Sequence, residues 1–233
     1  MCERLVQSRT KHDYVRALGW HLPALLDDYS DRVPHWNVPP GSQPWLLHRF
    51  GHGSPQIDML NWGYRPAWAN RIDGPSASSI RLDHARSGPY FKTMFRNGRA
   101  IVPADGWYEW SRTASARQPW FVRDKSGQPM FMAAVCNYRA QPAQIDDTGF
   151  VLVCDTAPGS IIDSHGMRPI LLSAAQARIW LDNTVSVDSA YALAQACCGS
   201  TVDLEWHQVG PAVDRRGSNG SHLILPLHTY ISA

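Results

Sequence analysis

Apolar residues in this chain come in short runs separated by turn formers, which is the pattern of many short strands with a few helices. Strands are expected at Trp45–His48, Ile57–Trp62, Arg99–Val102, Trp107–Trp110, Pro119–Val122, Met130–Cys136 and Phe150–Cys154, with a last one at His222–Leu227. Lys125-Ser126-Gly127 lies between two of these and reads as a hairpin turn. Helical spacing begins after Thr10, where Asp13 completes an N-cap signature and Tyr14, Leu18, Leu22, Leu25 and Leu26 form a stripe that Pro23 interrupts. Ser173–Leu181 and Asp188–Cys197 are further helices, each behind a plausible cap. Proline and glycine mark Pro34–Gly41 as a loop, and Asn70–Pro89, poor in large apolar residues, as a long one. No repeat or linker divides the chain. The pattern predicts one α+β domain over residues 1–233, a curled antiparallel sheet core flanked by short helices.

Composition narrows the class. With 44% hydrophobic and 18% charged residues in 233, a packed core is available and disorder is not expected. A net charge of +2 neither demands nor excludes nucleic acid, so a local basic patch would have to serve. The five cysteines are odd in number, two are adjacent and none forms a CxxC pair, which points to a reduced protein with neither disulfide framework nor metal. No apolar run reaches the ~20 residues that span a bilayer, and no signal segment leads the chain, so a soluble cytoplasmic protein is expected. Ten tryptophans serve either core packing or flat stacking surfaces.

Four segments carry candidate chemistry. Cys2 directly follows Met1. Were Met1 removed, Cys2 would present an α-amine (pKa about 7.7–8.0) beside a thiol (about 8.5). Such a pair condenses with an aldehyde to an imine and closes it to a thiazolidine, which no internal cysteine can do. The plainer alternative is a frayed terminus. Glu109 stands among aromatics in Asp105-Gly106-Trp107-Tyr108-Glu109-Trp110, and apolar walls suit a carboxyl to proton transfer near neutrality. An ordinary edge-strand glutamate is the alternative. His165, in Asp163-Ser164-His165-Gly166-Met167-Arg168-Pro169, is a proton donor and acceptor or a solvated side chain. Asn61-Trp62-Gly63-Tyr64-Arg65-Pro66-Ala67-Trp68 is a nucleobase platform or a packed strand end.

Taken in order, these segments resemble the SOS response-associated peptidase (SRAP) family, sensors of abasic sites in single-stranded DNA. The resemblance spans Met1 to about Leu225, and Gln118–Val135 follows the family's hairpin. It implies that Met1 is lost and that Cys2 forms a thiazolidine with the ring-opened abasic sugar, giving a covalent DNA–protein cross-link. It further implies that Glu109 and His165 are catalytic, and that Arg4, Asn37, Trp68, Arg81, Trp107 and Trp110 line the DNA groove or brace the site. The family's Asn-Ala-Arg-x-Glu-Thr motif aligns with Ser79-Ile80-Arg81-Leu82-Asp83-His84, so Ser79 takes the place of the asparagine that holds the terminal cysteine. Glu3 replaces the family's glycine, and Cys154 the threonine at the end of the strand before the histidine.

The implied partner is single-stranded DNA carrying abasic sites, met by a monomer with no cofactor, no metal and no membrane. Two other readings stand beside this one. Cys2, His165 and Glu109 could form a nucleophile, base and orienter in a thiol peptidase that also cuts its own Met1–Cys2 bond. Alternatively, the Ser79 and Glu3 replacements could leave a single-stranded-DNA binder without catalysis.

Overall fold

The computed structural model describes residues 4–20, 33–65, 76–112, 117–137, 148–156, 167–198 and 204–227. Its strands are β1 (Leu5–Gln7), β2 (His35–Val38), β3 (Trp45–His48), β4 (Gln56–Met59), β5 (Ser79–Arg81), β6 (Arg99–Ala104) and β7 (Gly106–Arg112). They continue with β8 (Arg117–Asp124), β9 (Met130–Cys136), β10 (Phe150–Thr156), β11 (Met167–Pro169), β12 (Leu171–Leu172) and β13 (Leu204–Gln208). Among the described residues five α-helices accompany them: α1 (Lys11–Ala17), α2 (Leu82–Ser87), α3 (Lys92–Asn97), α4 (Ala174–Leu181) and α5 (Val187–Cys197).

The strands form two open sheets. The smaller runs β13-β8-β7-β1-β2, and the larger β11-β10-β9-β6-β3-β4, with β12 beside β9 and β5 beside β10. Apolar side chains from both sheets meet in one core, including Leu5, Val38, Trp107 and Val122 from the first and Val102, Met132, Leu152 and Cys154 from the second. On its other face the larger sheet packs against the helices, through Ile101, Ala133, Val151, Val153 and Trp180. Covered on both faces, β9 is buried throughout and reads as a continuous apolar run. A small third cluster, with Tyr108, Trp110, Phe121 and Val213, covers the outer face of the smaller sheet.

Local signals explain the helices. Thr10 and Asp13 form a reciprocal capping box at α1, and Ser173 and Gln176 another at α4. Arg99, 1% exposed, donates to the carbonyls of Trp180 (2.8 Å), Asp182 (2.7 Å), Val185 (3.0 Å), Phe95 (3.2 Å) and Arg96 (3.4 Å). One guanidinium thus binds the C-terminal ends of α3 and α4 together, where helix carbonyls lack intrahelical partners.

The mixed fold with a mainly antiparallel core agrees with the sequence pattern; the exception is β5, which pairs with β10 in parallel. Several local expectations change. Lys125-Ser126-Gly127 makes a turn, with Gly127 at φ 69°, but not a hairpin: β8 pairs with β7 and β13 while β9 pairs with β6, β10 and β12, so the link crosses between sheets. Pro34–Gly41 contains β2, and the described part of Asn70–Pro89 contains β5 and α2. The expected strand at His222–Leu227 is instead a 3-10 turn over Ser221–Ile224. It is held against β13 by His207 Nε2 at 2.8 Å from the Ile224 carbonyl and by the Leu227 amide donating to the Gln208 carbonyl at 2.9 Å. The stripe beyond Leu18 and the Asn70–Pro75 part of the long loop lie outside the described residues.

Candidate active site

Strand alternation on β7 turns Trp107 and Glu109 toward the core between the sheets, and Tyr108 and Trp110 to the outer face. Glu109 is only 5% exposed. The Trp107 indole Nε1 donates to its Oε1 at 3.0 Å, an aromatic wall that is also a hydrogen-bond donor. Across the sheet, Trp120 of β8 is Glu109's register partner, and its Nε1 donates to Ser111 Oγ at 2.9 Å.

The larger sheet contributes the opposite side. Leu152 and Cys154 point into the shared core, while Val151 and Val153 point to the helices. Ser79 is in register with Leu152 and Arg81 with Cys154, so both lie on the same face as Cys154. Burial pushes the Cys154 thiol up to about 12, the Glu109 and Asp155 carboxylates add to the shift, and a hydrogen bond with the Ser79 side chain works against it. Ser79, Cys154 and Glu109 therefore form one neighbourhood, in which Cys154 is a neutral thiol at any physiological pH. Arg81 stands at the rim, exposed and paired with Asp83 at 3.2 Å. An ion pair so open to water is weak and readily exchanged for a phosphate.

The other residues singled out in the sequence do not all join this cluster. Leu5 and Val38 face inward, so Arg4 and Asn37 alternate to the outer side of the smaller sheet. There Arg4 Nη1 donates to Asn37 Oδ1 at 3.2 Å, and Asn37 Nδ2 donates to the carbonyls of Val213 (3.0 Å) and Ser218 (3.2 Å). Trp110 is on that side as well, with the Arg117 guanidinium 4.4 Å from its ring centre and its Nε1 buried without a partner. Trp107 is fully buried, which makes it a brace for Glu109. Cys2, Trp68 and His165, with Glu3, lie outside the described residues. Arg4, the first described residue, is tied to β7 by its carbonyl accepting from the Tyr108 amide at 3.0 Å. Met167 pairs with Thr156 at the end of β10.

Two supports of this arrangement escaped the motif reading. The buried Gln7 amide donates to the Trp45 (3.0 Å) and Pro103 (2.7 Å) carbonyls and accepts from the Trp45 amide (2.8 Å), fastening β1 to the larger sheet. Asp105 accepts from the Ser8 amide (2.7 Å) and hydroxyl (2.8 Å), the Tyr14 hydroxyl (2.8 Å) and Arg9 Nε (2.7 Å). Burial, then the Asp105 charge, holds the Tyr14 phenol well above its ordinary pKa. In the sequence Gln7 is only a polar residue beside an apolar run, and Asp105 only the head of the motif that carries Glu109. Among the described residues no three His, Cys, Asp or Glu side chains are grouped to hold a metal ion, and no helix is long and apolar enough to cross a membrane.

Comparison with known proteins places this geometry. The family model described as SOS response associated peptidase (SRAP) matches residues 1–216. The chain is 34% identical to the abasic site processing protein YedK of Escherichia coli over 97% of its own length and 100% of that protein. It is 31% identical to the abasic site processing protein HMCES of Xenopus tropicalis over 45% of its length and 35% of that protein. A phage-related protein from Bordetella bronchiseptica has a similar structure, with a TM-score of 0.74, 29% identity, and coverage of 89% of this chain and 94% of that one.

Proposed function

This chain belongs to the SOS response associated peptidase family, and from that premise we propose that it recognises abasic sites in single-stranded DNA and captures them covalently through Cys2. Removal of Met1 exposes the Cys2 α-amine. An abasic deoxyribose is mostly a closed hemiacetal, so a proton must reach the ring oxygen and another must leave the anomeric hydroxyl to open it; His165 and Glu109 are assigned to these transfers. The neutral amine attacks the aldehyde carbon, a C–N bond forms, and the carbonyl oxygen departs as water. The Cys2 thiolate then adds to the imine carbon. A C–S bond forms, the C=N electron pair moves to nitrogen, and nitrogen takes a proton to complete the thiazolidine.

The observation that carries this reading is the Glu109 carboxylate, nearly closed to solvent, braced by an indole N–H and one residue from the β7 position that binds Arg4. That combination encloses a group able to transfer protons on the strand that pairs with β1. Ser79, beside Cys154, is assigned to hold the terminus. Arg81 is assigned to a phosphate at the rim and Trp68 to a base, while Trp110, buried on the outer face with Arg117 over its ring, is left to brace the smaller sheet. Arg4 and Asn37 support β1 from behind.

The test is denaturing gel electrophoresis after incubation with single-stranded DNA containing an abasic site. The wild-type protein is expected to give a slow-migrating adduct and Cys2→Ala none. An adduct retained by Cys2→Ala overturns the assignment. Tight binding with no adduct from the wild type identifies a binder without catalysis, and cleavage of peptides without an adduct identifies a thiol hydrolase.

A further inference from the structure

The face of the smaller sheet that carries Glu109 continues past it. Trp107 of β7 is in register with Val122 of β8, and Val122 with Trp206 of β13. One pair further along, Glu109 is in register with Trp120, and Trp120 with Gln208. Directly paired residues share a face, so Trp107, Trp120 and Trp206 surround the Glu109 row on one side of the sheet. Burial falls along this path: Trp107 is enclosed, Trp120 is half-buried, and Trp206 is 43% exposed. Trp206 and Trp120 are diagonal neighbours, a relation that sets Cβ atoms about 7–8 Å apart and lets one planar ring touch both. Around them stand the exposed Gln208 amide and the Ser111 hydroxyl, which already accepts from Trp120.

The geometry points to a base-stacking platform, made by Trp120 and Trp206, that takes an undamaged nucleotide of a single DNA strand whose abasic neighbour lies at Glu109. This rests on the function proposed above and adds residues that function does not use. The occupant follows from continuity and composition. The path leads directly from the Glu109 carboxylate to the edge strand, and its flat indoles alternate with an amide and a hydroxyl. Such a surface offers π-faces with polar edges, which suits bases in any sequence. An apolar protein partner would instead meet Gln208 in the middle of its contact. Leu225 and Leu227 are exposed nearby, and the Leu227 amide bonds the Gln208 carbonyl, so a second copy of this chain is the competing occupant.

The experiment measures fluorescence anisotropy of a labelled, undamaged oligo-dT strand with the full-length protein, with single-turnover adduct formation on abasic DNA in parallel. Trp206→Ala is expected to weaken oligo-dT binding about tenfold, the effect of losing one base–aromatic stack. Trp206→Phe keeps a ring and should recover most of that loss. The adduct rate at saturating DNA should match wild type for both, because Trp206 does not touch the reacting atoms. Light scattering should give the same mass for wild type and Trp206→Ala. Equal oligo-dT affinity for Trp206→Ala and wild type overturns the platform and leaves the proposed function standing. A fall in mass on Trp206→Ala overturns it in favour of self-association. Failure of the wild type to bind single strands or form an adduct overturns the proposed function, and the platform with it.

Discussion

Glu109 meets an indole N–H from Trp107 on its own strand and Trp120 across the sheet, which hold its carboxylate in a nearly closed space. Glu109→Gln preserves the shape and the bond from Trp107 but cannot exchange a proton. It should slow adduct formation at least tenfold at saturating DNA while leaving affinity within about twofold, as single-turnover kinetics and anisotropy would measure. The thiols give an independent check. Cys136, Cys154 and Cys197 are buried, and burial with the Asp155 carboxylate pushes the half-buried Cys198 up to about 12. A thiol with so high a pKa is roughly one part in 10⁴ thiolate at pH 8. A disulfide reagent at pH 8 should therefore find one fast thiol in the native protein, and Cys2→Ala should abolish it. The sequence singled out Glu109 but could not show how its neighbours face. Trp107 and Trp110 look equivalent in a linear motif, yet strand alternation puts them on opposite faces, and only Trp107 touches the carboxylate. The bond between Ser79 and Cys154 was illegible because it depends on a parallel strand pair between distant segments. It joins Ser79 and Cys154, two positions where the resemblance implies other residues. Restoring the pattern in part, by Glu3→Gly with Ser79→Asn, should raise the adduct rate about tenfold if about 1.4 kcal/mol of barrier is recovered. A time course on abasic single strands measures this.

At the level of elements, helices with a side-chain cap were the most legible because the cap is local, whereas α2 and α3, which have none, did not show. Thr10, Ser173 and Ser186 cap the helices that follow them, each with its side chain accepting from a backbone amide within the first turn. Thr10→Ala should cost about 1 kcal/mol in urea unfolding. Strands with partners on both sides, β3 and β9, also matched their apolar runs. Short strands did not: β2 is hidden behind prolines, and β11 and β12 are too brief to show any period. Arg99 was visible only as one base beginning a strand, yet it joins two helix ends. Burial pushes its pKa down from the ordinary value while the Asp182 carboxylate works against that, and it stays charged because carbonyl oxygens surround it. Lysine carries the same charge without the planar fork and cannot reach all five carbonyls. Arg99→Lys should lower stability by about 2–5 kcal/mol, read as a lower urea midpoint at unchanged slope.

For the whole molecule, a net charge of only +2 means that the DNA affinity proposed above would have to come from local cations, for which Arg81 is the candidate. Binding of undamaged single strands should weaken with salt, with a log–log slope near −0.7 for each phosphate contacted. Arg81→Glu should lower affinity alike for all sequences and make that slope shallower. The two-sheet arrangement has one more consequence, and it concerns time. β1 pairs only with β2 and β7, and its Leu5 meets Trp107 about a hundred residues further along the chain. At a synthesis rate of about 5–20 residues per second, the first residues leave the ribosome roughly 5–20 s before their central strand partner exists. During that interval β1 has no β7 to pair with, so the two sheets can close over their shared core only after the middle of the chain has been made.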